Sequence, residues 1–326
     1  MRKRTFGKAA FGCILLVLVL IMLYSGLRVL ESTVFYKPDR ITMQTKSKTI
    51  TRNGIKYFPR QDITVVMILG IDWEGKVEPR EMNYGGAVDM VSLMIFDKKT
   101  QDCTLLNLNR DMMVHMPALN EHGKAEGFYY GQLAYSHTYG TGMEDSCENT
   151  RTTISNLLYG LHIDYYFAMH MDAISILNDA VGGVTVNITD DFSAVAPTLT
   201  VGSHTLKGKE AVAFVQSRTG VGDELNLSRM ERHKEYMSKF AAALKSYLDQ
   251  EEGFVVRAYE QVSDYIVTDC TVAILSRLAE DFGDYPLADT LSLKGENKQG
   301  EEFMEFYADE EALDQLILER FYAPKN

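Results

Sequence analysis

Three short apolar runs between residues 63 and 109 constrain the architecture more than any other feature of the chain. They are 63–70 (ITVVMILG), 90–96 (MVSLMIF) and 103–109 (CTLLNLN). Runs of this length, rich in β-branched residues and bounded by polar segments, are too short for an ordinary helix and read as buried strands. The charged tetrapeptide Asp97-Lys98-Lys99-Thr100 reads as a turn, so the second and third runs are expected to pair as a hairpin.

Segments downstream supply cover for such a sheet. Residues 146–158 read as a helix, 165–171 as a strand, and 172–180 as a helix with Asp172 placed to cap its start. Gly182-Gly183 stops that helix, 184–188 is a further strand, and 208–215 a short helix. From 229 to 248 the apolar residues Met230, Met237, Phe240, Ala241, Leu244 and Tyr247 or Leu248 follow a 3.6-residue spacing, the clearest helical stripe in the chain. Weaker helices are expected at 271–279 and 310–321. Alternation of strands and helices on this scale predicts helices packed on a central sheet.

The N-terminus is of another kind. Arg2, Lys3, Arg4 and Lys8 precede an uncharged apolar run over 9–27, closed by Arg28. About 19 residues suffice to cross a hydrocarbon core as a helix, and a basic flank is retained in the cytoplasm. No small-residue cleavage site follows, which favours an anchor over a cleaved signal. The expected layout is a cytoplasmic tail (1–8), a transmembrane signal-anchor (9–28), an extracytoplasmic stalk (29–60) with a turn at Arg52-Asn53-Gly54, a catalytic domain (61–250) and a C-terminal extension packed on that domain (251–326). The net charge of −12, with no basic stripe, argues against a nucleic-acid partner. Beyond Cys13 in the apolar run, Cys103, Cys147 and Cys270 are odd in number and lack a CxxC pattern, so free buried thiols are expected.

HExxH, GxxxxGK[ST] and GxSxG are absent, and the seven histidines lack metal-ligand spacing. What remains is a set of Asp and Arg residues at strand ends. Asp72 follows the first strand, Asp89 immediately precedes the second, and Arg110-Asp111 follows the third. In an antiparallel meander these points share one edge of the sheet. Paired carboxylates suit Mg²⁺ and an adjacent arginine suits a phosphate, which points to phosphoryl chemistry; turn caps and a surface ion pair would use the same residues. A second group, Arg218, Asp223, Arg229 and Arg232, lies before and within the long helix. Arg229 and Arg232 are three apart near its N-terminus, where the backbone dipole favours anions; a solvated face paired to Glu231 or Glu235 is the other reading.

In this order the motifs become recognisable: Leu69-Gly70-Ile71-Asp72, Val88-Asp89-Met90, Leu108-Asn109-Arg110-Asp111, Ala134-Tyr135 ending at Gly140, Ile163-Asp164-Tyr165-Tyr166, Ala180-Val181-Gly182-Gly183-Val184-Thr185-Val186, and Phe214-Val215-Gln216-Ser217-Arg218 leading to Arg229-Met230-Glu231-Arg232. From about 63 to 244 the sequence resembles the catalytic domain of the LytR-CpsA-Psr family of cell-wall ligases, as a divergent member. The resemblance implies an α/β fold with a central mixed, largely antiparallel sheet flanked by helices, preceded by one N-terminal transmembrane helix. It implies a membrane-bound transferase that moves a glycopolymer from an undecaprenyl-pyrophosphate carrier to peptidoglycan through a phosphodiester. A non-catalytic or hydrolytic polyprenyl-pyrophosphate-binding protein is the alternative. Carried over by motif, Asp72 and Asp89 would hold Mg²⁺ or Mn²⁺, and Arg110, Arg218 and Arg229 would contact the pyrophosphate, with Arg232 beside them. Asp111 would accept the proton of the attacking hydroxyl or orient Arg110. The family's lipid tail lies in an apolar pocket between sheet and helices. Three positions depart from the pattern: Ala87 and Gln216 stand where many relatives carry arginine, and Asn226 where they carry Asp.

Overall fold

A computed structural model describes residues 49–217, 219–221, 226–250, 254–271, 274, 277–278 and 281–324. The apolar run at 9–27, its basic flank, most of the stalk, Arg218 and much of the helix expected at 271–279 lie outside the described residues. No helix among the described residues is long and apolar enough to cross a membrane.

The chain opens with β1 (Ile50–Arg52) and β2 (Ile55–Pro59), joined at Asn53-Gly54. Both turn residues have positive φ, 51° and 78°, the backbone a two-residue hairpin loop requires and the one Asn-Gly tolerates. Residues 50–59 of the expected stalk are thus a hairpin. Next come β3 (Ile63–Ile71), β4 (Val88–Asp97) and β5 (Asp102–Leu108), the meander expected from the three apolar runs. A second hairpin, β6 (Met113–Leu119) and β7 (Ala125–Gln132), precedes α1 (Glu144–Leu157) and β8 (Tyr165–His170). There follow α2 (Met171–Ala180), the pair β9 (Val184–Ile188) and β10 (Gly202–Leu206), α3 (Lys209–Gln216), the long α4 (Asn226–Gln250) and α5 (Phe254–Val262). The chain ends with β11 (Ile266–Thr268), β12 (Leu287–Ser292), the hairpin β13 (Gly295–Gln299) and β14 (Met304–Ala308), α6 (Glu310–Phe321) and β15 (Tyr322–Pro324).

Six strands form the central sheet in the order β11-β8-β3-β4-β5-β12. The β3·β8 and β5·β12 pairs are parallel and the other three junctions antiparallel, so the sheet is mixed and largely antiparallel. Asp164 pins β8 to β3: its carboxylate accepts from the Val65 N–H at 2.8 Å while its own N–H donates to the Val65 carbonyl at 2.9 Å. Of the described residues beyond 250, β11 and β12 form both edges of the sheet and β15 pairs with β2.

Alternation along each strand divides the core in two. Val65, Met67, Leu69, Leu93, Ile95 and Leu106 point to one face and pack with Cys147 and Ile154 of α1 and Ile317 and Phe321 of α6. Val66, Met94, Phe96 and Cys103 point to the other, toward Leu278 and Phe282. A further cluster joins α2, α3, α4 and α5 to the β9–β10 pair around Phe192, Phe214, Phe240 and Leu244. Cys103, Cys147 and Cys270 are all free thiols. Asp172 does not cap its helix: α2 begins one residue earlier, His170 occupies the N-cap, and Asp172 instead accepts from the Gly75 N–H at 2.5 Å. The carboxylate is drawn to an unpaired donor across the fold because it already lies inside the first turn.

Candidate functional site

The meander brings its strand ends together, and a break in register aims them. Strands β3 and β4 pair regularly from Ile63↔Asp97 to Gly70↔Met90, but Ile71 then pairs with Val88, leaving Asp89 over as a β-bulge. Further along β4, Val91, Leu93 and Ile95 face the α1 side and Met90, Ser92 and Met94 the other. The extra residue lets Asp89 join Met90 on that second side while Val88 returns to the core. Gly70, opposite Met90, leaves the room: a Cβ there would stand 3.1 Å from the Met90 Cβ.

Two guanidiniums converge on the Asp89 carboxylate. Arg110, just past the end of β5, contacts Oδ1, and Arg229, in the first turn of α4, reaches Oδ2 at 3.3 Å. Asp111 is buried behind Arg110. Its Oδ1 lies 3.6 Å from Arg110 Nε and accepts from Gln132 Nε2 at 3.3 Å, and Gln132 also donates to the Met304 carbonyl. Asp72 stands on the exposed rim of the same sheet end. Its N–H donates to the Ala87 carbonyl at 2.9 Å, and its carboxylate accepts from Gln216 Nε2 at 3.1 Å. Gln216 thus meets Asp72 as a neutral donor.

Arg232 is used elsewhere. It reaches Asp190 at 2.9 Å, donates from Nε to the Phe214 carbonyl at 3.0 Å, and contacts the Ser217 carbonyl and the Phe192 ring. Its fork ties α4 to the segment after α3, so Asp72, Asp89, Arg110, Asp111 and Arg229 assemble at one end of the sheet while Arg232 does not join them.

Beneath the Asp89 carboxylate lie two adjoining cavities of about 230 and 90 Å³, both lined by Asp89, Met90, His233 and Met237. The sheet forms the floor through Ile68, Met90, Ser92, Leu105 and Asn107. The roof is α4, through Arg229, His233 and Met237, and β12 adds Leu287 and Thr290. Spacing of four residues puts the three roof side chains on one helical stripe with the cation at the mouth. Three polar side chains deeper in this lining are satisfied internally: Ser92 Oγ donates to Asn107 Oδ1 at 2.7 Å, and His233 Nε2–H donates to the Val215 carbonyl at 2.6 Å. Burial pushes the His233 pKa down to about 4, so its ring is neutral at ordinary pH. The result is an apolar pocket with charge gathered at one end. The 229–248 periodicity marked Met237, but nothing local to the sequence marked His233 or the Ser92–Asn107 pair as lining.

The donor set fits a hard cation in part. Mg²⁺ is bound through one or two carboxylates with water and substrate phosphates completing the shell, not by an all-protein cage. Asp72 and Asp89 supply two such carboxylates at the same sheet end, and no group of three or more His, Cys, Asp or Glu residues that could hold a metal occurs among the described residues.

Relatives share this architecture. The chain is 26% identical over 225 residues to the polyisoprenyl-teichoic acid–peptidoglycan teichoic acid transferase TagU of Oceanobacillus iheyensis, covering 67% of this chain and 63% of that protein. It is 28% identical over 242 residues to TagT of Bacillus subtilis, a transferase of the same description, covering 70% and 65%. The chain therefore spans just under two thirds of the length of each of these two relatives. The solved structure of TagT bound to LI-WTA superposes with a TM-score of 0.61 at 20% identity, covering 85% of this chain and 94% of that one, which establishes a common fold. The LytR_cpsA_psr family profile matches residues 26–320, nearly the whole sequence, and the chain belongs to that family.

Proposed function

We propose that this protein is a membrane-anchored transferase that moves a glycopolymer from a polyprenyl-pyrophosphate carrier to peptidoglycan outside the cytoplasm. One observation carries the reading: Arg110 and Arg229 meet at the mouth of an apolar pocket, around a carboxylate that a bulge has turned toward them. A ligand matching this site has a multiply charged anionic group joined to an apolar tail. A polyprenyl pyrophosphate is such a molecule, with the phosphate-proximal end of its tail in the pocket. The transferase names of the relatives agree with that chemistry. The anchor at 9–28 would keep the pocket at the membrane surface where the carrier resides.

In the reaction, a hydroxyl oxygen of the acceptor glycan attacks the polymer-bearing phosphorus, and its proton passes to the departing phosphate. The phosphoanhydride bond breaks, polyprenyl phosphate leaves, and a phosphodiester joins polymer to acceptor. Phosphoryl transfer depends chiefly on positioning and on charge stabilisation. The guanidiniums of Arg110 and Arg229 suit that task, because a planar fork can donate two parallel hydrogen bonds to phosphate oxygens. Asp111, buried behind Arg110 and held by Gln132, orients that fork; its place away from the pocket lining favours this role over general base. Asp72 and Asp89 would hold Mg²⁺ or Mn²⁺, which supplies further neutralisation of phosphate charge.

The full-length chain, purified in detergent from a bacterial membrane, should retain polyprenyl lipid detectable by mass spectrometry, and Met237→Trp, which fills the pocket from α4, should reduce the amount retained. A chain that carries no such lipid and does not bind a short-chain polyprenyl pyrophosphate added in its place refutes the reading.

A further inference from the structure

The β6–β7 hairpin grows out of the corner that holds Arg110. Strand β6 begins just after Asp111; past the end of β7, the Leu133 N–H donates to the Met112 carbonyl and the Ala134 N–H to the Arg110 carbonyl, each at 2.8 Å. Gln132 closes β7 and reaches both Asp111 and the Met304 carbonyl at the head of β14. Among the described residues, none of the hairpin lines either cavity at Asp89. Arg110 therefore stands between two surfaces, the pocket under α4 and the hairpin.

The open face of that hairpin is aromatic. Side chains two apart on a strand share a face, so Phe128 and Tyr130 continue the row that starts at Gln132, and His115 stands opposite Tyr130. From Gln132 to Phe128 the row runs about 13 Å, long enough for a short stretch of polymer. Phe128 is 53% and Tyr130 46% exposed, and the Tyr130 ring meets the His115 imidazole at a centroid distance of 4.8 Å. Phe303, next to Met304, adds another half-exposed ring, edge-on to Tyr135 with centroids 6.4 Å apart. Exposed rings gathered beside a reaction centre mark a contact surface.

Their surroundings narrow the occupant. Across 113–132 and 295–308, six glutamates stand against two lysines. An acidic rim repels anionic lipid and nucleic acid. A glycan strand suits it: sugar rings present apolar C–H faces and polar edges, the same pairing that tyrosine offers with its ring and hydroxyl. The direction of attack agrees. In phosphoryl transfer the attacking and leaving oxygens lie roughly in line across phosphorus, so the acceptor enters from the side away from the lipid tail.

We propose that Phe128 and Tyr130, with His115 and Phe303 beside them, form a stacking surface for the acceptor glycan and lead its hydroxyl to the phosphate held at Arg110. The assignment rests on the functional reading above and adds the place of the acceptor. It is tested by titrating a soluble N-acetylglucosamine oligosaccharide into the full-length chain in detergent by calorimetry, with thermal unfolding followed in parallel. Tyr130→Ala should weaken binding about fivefold and Phe128→Ala by a similar factor, whereas Tyr130→Phe keeps the ring and most of the affinity. In polymer transfer, Tyr130→Ala should raise the KM for acceptor glycan and leave retention of polyprenyl lipid unchanged. Parental sugar affinity in both folded alanine variants overturns the proposal, and so does dissociation of a dimer by Tyr130→Ala with sugar affinity kept, which makes the face a contact between copies. Tyr130→Trp adds an indole to the one at Trp73; in liposomes of brominated phospholipid its added fluorescence should stay unquenched, and quenching would put the row in the bilayer instead. A parental chain that retains polyprenyl lipid but binds no sugar overturns the acceptor surface alone. One that does neither overturns the functional reading with it.

Discussion

The two faces of the central sheet are made from the same strands and end differently. On the α1 side, Val65, Met67, Leu69, Leu93 and Leu106 are almost completely buried and the face is closed along its length. On the other side only one end is closed, where Phe96 stacks on Phe282 with ring centroids 4.6 Å apart. At the Asp89 end the strands present Gly70, Met90, Ser92 and Asn107 beneath α4, and space remains. Large rigid side chains make one region a core. Small or polar residues and flexible methionines, laid under a helix that carries Arg229, leave the other with an apolar cavity and charge at its mouth.

That contrast can be broken most directly by truncation. Leu93→Ala, on the closed face, should destabilise the domain by about 3–4 kcal/mol in urea denaturation, whereas Met90→Ala, on the open face, should cost about 1 kcal/mol because it already borders a cavity. Equal losses would show that the open face is packed as tightly as the closed one. Next in size, Arg110→Lys should lower kcat/KM for polymer transfer about a hundredfold, since charge remains but the fork is lost. Transfer at the parental rate would mean that charge alone suffices at the mouth.

The buried histidines sharpen the comparison through pH. Burial lowers His137, on the closed side, and His233, in the pocket roof, from 6.5 to about 4. Between those values the unfolded chain binds more protons than the folded one, so stability present above pH 6.5 falls as pH drops toward 4 and levels off below it. At pH 5 each ring should account for a loss on the order of 2 kcal/mol. His137→Gln and His233→Gln, each compared with the parent across this range, should flatten the pH dependence separately; a slope unchanged in both variants would place the titration elsewhere. The smallest effect is expected from Ser92→Ala, which removes the donor to Asn107 inside the pocket and should change stability by about 1 kcal/mol, with a measurable rise in retention of apolar lipid.

Much of this was local and therefore legible. Residues 63–109 form three strands because β-branched runs bounded by charge have few other stable outcomes, and Asn53-Gly54 turns a hairpin because both positions tolerate positive φ. The convergence of Asp72, Asp89, Arg110 and Asp111 followed from an antiparallel meander alone. What the sequence could not reveal depends on partners distant in the chain. The bulge at Asp89 is a relation between two strands, and it alone turns the carboxylate onto the pocket side. Strand β12 (LADTLS) carries little strand pattern and exists because β5 offers it an edge; β13 (GENKQ) is wholly exposed. Arg229 and Arg232, three apart on one helix, differ by about 60° around its axis, enough for one to meet Asp89 and the other Asp190. Local propensity determined which segments became strands and helices. The fate of each charge was decided by which counter-charge, carbonyl or ring the tertiary fold brought within its reach.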